Sequence, residues 1–144
     1  MGIQIEKKGV YVVLYKLFEN KINFLILKRS EDWVGWELLK GGVDEGENFI
    51  DTAKREALEE VGLDVDVVKS NQTNIFFSEK DGVKRRHTMN VFFAKVNDGN
   101  IVLSQEHSEF KFVSLDEALE LLAFDDLKKI IQEVKTEIVN YENL

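Results

Sequence analysis

Two runs of branched and aromatic residues, Val10 to Leu17 and Phe24 to Lys28, stand either side of the polar Glu19-Asn20-Lys21. They predict a β-hairpin, because such side chains suit a pleated, half-buried surface and the polar break supplies a turn. The same pattern predicts strands at Val65 to Val68, Asn74 to Ser78, Thr88 to Val96 and Phe110 to Val113, with Lys80-Asp81-Gly82 turning between two of them. Three segments instead repeat apolar residues at helical spacing. In the first, Asn48 to Val61, Ile50, Ala53, Ala57 and Val61 fall on one stripe. The second starts at Ser114, which makes a capping-box pattern with Glu117, and runs to Leu122. The third, Asp125 to Tyr141, aligns Leu127, Ile130, Ile131, Val134 and Ile138 and fills its other face with Lys, Glu and Gln. Strands and helices mix without strict alternation, so the expected class is α/β in the broad α+β sense, with helices packed on a mixed sheet.

With 144 residues, 44% of them hydrophobic, the chain suits one domain with one active site, and no repeat or linker divides it. No run reaches the roughly 18 apolar residues that a membrane span needs. The start, Met1-Gly2-Ile3-Gln4-Ile5-Glu6, has no apolar core of a signal peptide, so a cytoplasmic location and no membrane partner are expected. Cysteine is absent, so any metal must be held by oxygen ligands or by His87 and His107, which favours a hard ion such as magnesium or manganese. A net charge of -8 argues against general nucleic-acid binding. A polyanionic substrate would be met locally, by a bound cation or by the basic run Lys84-Arg85-Arg86-His87.

The densest chemistry lies in the first helix and the loop before it. Glu56, Glu59 and Glu60 sit at i, i+3 and i+4, so three carboxylates project from one side, beside the apolar stripe and not on it. Like charges that close repel, and a divalent cation among them reverses that repulsion. Upstream, the glycines of Lys40-Gly41-Gly42-Val43-Asp44-Glu45-Gly46-Glu47 let the backbone approach a ligand closely. Arg55 lies beside the acidic face, with Glu47 as its nearest obvious partner. A solvated acidic helix is the plainer reading of the carboxylates taken alone.

Five residues intervene between Gly41 and Glu47 and seven between Glu47 and Arg55-Glu56, followed by Ala57, Leu58, Glu59-Glu60, Val61, Gly62 and Leu63. This segment resembles the signature of the Nudix hydrolase family, with Ala57 smaller than the usual bulky aliphatic. The resemblance implies an alpha/beta/alpha sandwich around a mixed central sheet. It implies that Glu59 and Glu60 ligate a magnesium or manganese ion, that Glu56 is a further ligand or the base, that Arg55 orients them, and that a backbone carbonyl at Lys40 or Gly41 completes part of the coordination. The implied reaction is hydrolysis of a phosphoanhydride bond in a nucleotide.

Outside that segment, Ser104-Gln105-Glu106-His107 and the following Phe110, Phe112 and Ser114-Leu115-Asp116-Glu117 resemble the asymmetrical diadenosine tetraphosphate hydrolases. That likeness makes Glu106 a candidate extra ligand or base and Phe110 a candidate for stacking on adenine. Lys40, Lys84, Arg85, Arg86 and His107 are candidate substrate contacts. Leu39 and Gly42 depart from that group, which carries proline and histidine there. The expected activity is cleavage of diadenosine tetraphosphate to ATP and AMP. A nucleoside triphosphate or RNA 5'-end pyrophosphohydrolase and a non-catalytic nucleotide sensor are the alternatives, and monomer and homodimer stay open.

Overall fold

A computed structural model describes residues 2–97 and 99–144. Seven strands form one sheet: β1 (Ile5–Phe18), β2 (Lys21–Arg29), β3 (Gly35–Glu37), β4 (Leu39–Gly42), β5 (Val68–Lys80), β6 (Val83–Lys95) and β7 (Glu109–Val113). Helix α1 (Phe49–Val61) follows β4, while α2 (Leu115–Leu121) and α3 (Asp125–Glu142) follow β7. The main order is β3-β2-β1-β6-β5; β4 pairs with β1, and β7 with β2. Strands β1 and β6 run parallel and the other pairs antiparallel, so the sheet is mixed.

The continuous apolar run of β1 follows from burial on both faces. Tyr11, Val13 and Tyr15 join a core with Leu127, Ile130, Ile131, Val134 and Ile138 of α3, whereas Val10, Val12 and Leu14 join a second core with Ala53, Ala57 and Val61 of α1. All five α3 residues predicted from spacing are buried. Both tight turns have left-handed residues, Glu19 and Asn20 in one, Asp81 and Gly82 in the other, whose backbone twist matches that of flanking antiparallel strands.

The β1–β2 ladder extends from the turn only to Tyr15 opposite Phe24. Farther out, β1 pairs with β4 over Gly9–Val12, and β2 pairs with β3 over Leu27–Arg29. The hairpin is thus a fork, and β3 and β4, which the sequence pattern did not predict, fill it and lead the chain into α1.

Three expectations need correction. Val65 to Val68 is not a strand: β5 begins at Val68, and Val65 and Val67 pack under α1 without a partner strand. The strand expected at Asn74 to Ser78 is the middle of the longer β5, which carries an irregularity between Lys69 and Thr73. There the Glu137 carboxylate of α3 accepts from Ser70 Oγ (2.6 Å), Asn71 N (3.1 Å) and Gln72 Nε2 (3.2 Å). On α1, Ile50 is 53% exposed and stands off the apolar stripe, because the buried row is Ala53, Ala57 and Val61.

Candidate active site

Helix α1 starts at Asn48, whose side chain accepts from Asp51 N at 2.8 Å, and ends at Gly62, left-handed at φ 72. Beside its apolar row runs a second one, Thr52, Glu56 and Glu60, also buried. The three carboxylates are therefore not equivalent: Glu56 and Glu60 are 8% and 7% exposed, whereas the Glu59 side chain is 55% exposed. A Cβ at Gly41 would fall 2.0 Å from Glu56 Cδ, so only glycine leaves room for that carboxylate.

Arg55 ties the loop to the helix. Its Nε and one terminal nitrogen donate to both oxygens of Glu47 (2.8 and 2.9 Å), and the latter nitrogen also reaches the Gly42 carbonyl (2.8 Å). The other terminal nitrogen donates to Glu56 (2.8 Å) and Glu59 (3.2 Å). The planar fork of a guanidinium permits this division of labour. Arg55 first, then Thr52 and the Asp44 backbone N–H, hold Glu47 down at about 2, while Glu47 and then Glu56 push the Arg55 pKa further up.

Glu56 is pushed up to about 7, first by burial and then, against the pull of Arg55, by the charges of Glu59 and Glu60. Its folded pKa lies above the ordinary 4.5, so the folded protein binds more protons than the unfolded chain between those values. Without divalent cation, the Glu56 contribution to stability should therefore be full below pH 4.5 and be lost as pH rises through about 7. Glu47 acts oppositely, its contribution disappearing as pH falls from 4.5 towards 2. Denaturant unfolding of the wild type and Glu56→Gln at pH 5 and 8 checks the sign: the wild type should lose stability relative to the variant at the higher pH.

The opposite wall is built around Glu37, which the sequence reading missed. This acid is 2% exposed at the end of β3; Arg29 donates to its Oε2 at 3.1 Å, and His107 Nε2 lies 2.7 Å from the same oxygen. Burial alone would raise the Glu37 pKa, but His107, Lys40 and Arg29 outweigh it and hold the carboxyl below its ordinary range. An acid embedded in Trp36-Glu37-Leu38-Leu39 was the available signal, since a buried carboxylate needs partners.

These walls enclose an open cleft of about 1040 Å³. Glu56, Glu59, Glu60, Glu106, His107, Lys40 and Gly41 all line it, together with Lys7, Lys8, Arg29, Phe76 and His87. His87 stacks on Phe76 (centroids 4.3 Å apart, planes 4° apart) and hydrogen-bonds Ser78 Oγ at 2.8 Å. Its pKa is lowered by burial and by the charges of Lys40, Arg85 and Lys7.

The basic run is divided among different surroundings. His87 lines the cleft, Arg86 is held by Glu6 at its edge, and Lys84 and Arg85 border a separate depression with Ile3 and Phe77. Phe110 stands on β7 outside the cleft, 42% exposed and edge-on to Phe112 at 6.5 Å. Trp33 meets Phe124 edge-on at 5.2 Å, and Trp36 packs on the α3-side core. His107 is 7% exposed and lies between Glu37, which it contacts at 2.7 Å, and Glu60, 3.3 Å from its Nδ1. Among the described residues, Glu60, Glu106 and His107 each present a ligand atom within 4.8 Å of the others, so the donor set fits a divalent cation.

A mixed sheet between helices, carrying a glycine loop and a carboxylate-lined helix at one cleft, defines an enzyme built for charged phosphate chemistry. The NUDIX domain family model matches residues 7–134, and the chain belongs to the Nudix family. It is a hydrolase acting on phosphoanhydride bonds. It is 37% identical over 124 residues to the asymmetrical bis(5'-nucleosyl)-tetraphosphatase of Mus musculus, covering 82% of each chain. It is 35% identical over 122 residues to an RNA pyrophosphohydrolase of Wolbachia pipientis, covering 76% of this chain and 75% of that one. Its fold matches a C. elegans Ap4A hydrolase structure with a TM-score of 0.75 at 24% identity, over 93% and 98% of the two chains. None of the helices among the described residues is long and apolar enough to cross a membrane.

Proposed function

We propose that this hydrolase cleaves diadenosine tetraphosphate asymmetrically to ATP and AMP, assisted by magnesium or manganese, from a single domain spanning the chain. The observation that carries the reading is the two-sided cleft: Glu56, Glu59 and Glu60 on one wall, and the cations Lys7, Lys8 and Lys40 around the other. Four linked phosphates need both. Lysines meet the charge of the flanking phosphates, and the carboxylates hold the cation where the anhydride is broken. Similarity to the mouse tetraphosphatase supports this substrate over a mononucleotide.

Arg55 fixes the carboxylates, and Glu56, bonded to Arg55 and lining the cleft beside Gly41, is the candidate to accept a proton from the attacking water. A bound divalent cation would supply charge neutralisation of the phosphate oxygens and acidification of water. Incubation with magnesium and a panel of diadenosine tetraphosphate, ATP and 5'-triphosphorylated RNA, with products resolved by chromatography, tests the assignment. ATP and AMP in equal amounts are the expected products. Faster turnover of ATP would rule the assignment out, and faster release of pyrophosphate from RNA ends would move it to the activity of the Wolbachia relative.

A further inference from the structure

The contacts of Glu37 fix the orientation of the His107 ring. Glu37 Oε2 faces the Arg29 guanidinium at 3.1 Å and therefore acts as an acceptor, so the proton of the His107 ring sits on Nε2, 2.7 Å away. The other ring nitrogen, Nδ1, is turned towards Glu60. That atom is buried and has no hydrogen-bond partner, although Glu60 Oε2 lies only 3.3 Å from it. A ring nitrogen and a carboxylate oxygen so close need a proton or a cation between them, and the geometry is not that of a hydrogen bond. Glu106 supplies a third donor within 4.8 Å. Ser104 fixes the two acids around it: its hydroxyl donates to Glu60 Oε2 at 2.6 Å and accepts from Glu106 N at 3.3 Å.

We propose that His107 Nδ1 is a direct ligand of a divalent cation shared with Glu60 and Glu106, and that Glu37 is the positioning residue that keeps the imidazole in its ligating tautomer. This deepens the proposed metal-assisted hydrolysis and rests on it. A carboxylate behind a ligating histidine fixes ring orientation and strengthens the nitrogen donor. An imidazole ligand also changes which ion is favoured: magnesium selects oxygen, whereas manganese and zinc accept nitrogen readily. This cation position should therefore discriminate between the two classes of metal.

Electron spin-echo envelope modulation of the nucleotide-free full chain loaded with manganese reads the ligand directly. The wild type should show a directly coupled ¹⁴N, and histidine labelled with ¹⁵N should convert it to the ¹⁵N pattern. The coupling should persist in His87→Asn and vanish in His107→Gln. Glu37→Gln should weaken manganese binding roughly tenfold while changing magnesium binding less than about twofold. Manganese bound without a coupled nitrogen in the wild type overturns the proposal, and so does coupling lost with His87 but kept without His107. The labelled wild-type measurement needs no variant, so misfolding of a substitution cannot mask the answer. Nitrogen-coupled manganese without turnover would sustain the ligand assignment and sink the hydrolytic reading of the cleft; turnover without nitrogen coupling would do the reverse.

Discussion

Arg55→Ala should lower kcat roughly 100- to 1000-fold, because displacing several catalytic groups by about 1 Å removes much of the positioning and electrostatic advantage of an active site. Arg55 holds Glu47 by two hydrogen bonds and also reaches Glu56, Glu59 and the Gly42 carbonyl. Its removal frees the loop from the helix and leaves the buried Glu56 without its cation. Breaking such a pair leaves a charge uncompensated, and about 2 kcal/mol of stability should go with it. Arg55→Lys should recover little activity, since one ammonium cannot span the five acceptor contacts that the guanidinium makes. Steady-state kinetics, with thermal unfolding in parallel, separates the loss of turnover from the loss of fold. A kcat within threefold of wild type in Arg55→Ala would refute the hub role.

Gly41→Ala should be the second severe lesion, lowering kcat by about 100-fold or more through one methyl group. The new Cβ would overlap Glu56, with heavy atoms at 2.0 to 2.3 Å. Glu56 cannot swing aside without giving up its bond to Arg55, so the collision moves the proposed base and part of the cation site together. Overpacking of this kind costs about 1–3 kcal/mol, so the protein should remain folded at room temperature. Gly42→Ala should do far less damage, because a Cβ there meets nothing within 4 Å. Comparing kcat and circular dichroism of the two variants isolates the effect. Equal activity in both would show that Glu56 is not held as described.

The periodic parts of this protein were readable in advance because their pattern and their environment agree. Spacing alone identified the buried face of α3, and the unbroken apolar run of β1 announced a strand covered on both sides. Reading failed where tertiary context supplied what sequence lacks. β3 and β4 are three and four residues long and rich in glycine, a poor strand former. They exist because the parted arms of the β1–β2 fork offer open edges. Val65 and Val67 carry a strand-like alternation that is satisfied by packing under α1, with no ladder.

The site divides in the same way. The glycine loop, Arg55 and the α1 carboxylates lie within one short segment, so their association could be read from spacing. Their unequal burial could not, since it depends on how α1 is rolled against the sheet. Glu37, Arg29 and His107 are scattered along the chain and meet only through the pairing of β2 with β3 and β7. The basic run looked uniform in sequence, yet Arg86 is taken by Glu6 while His87 stacks on Phe76 in the cleft. Phe112, not Phe110, is the member of that pair that packs on the core.

The carboxylate of Glu137 has a consequence for life at high concentration. β5 is an outermost strand, and Ile75 and Phe77 on it are 53% and 63% exposed, the sort of rim on which another chain can polymerise by backbone pairing. By engaging the Ser70 and Gln72 side chains and the Asn71 backbone N–H where the strand buckles, Glu137 takes up one main-chain donor that an incoming chain would need, and the irregularity there interrupts the straight template. Helix α3 thus blunts one stretch of the sheet margin as a template for backbone pairing, a consequence unrelated to phosphate chemistry.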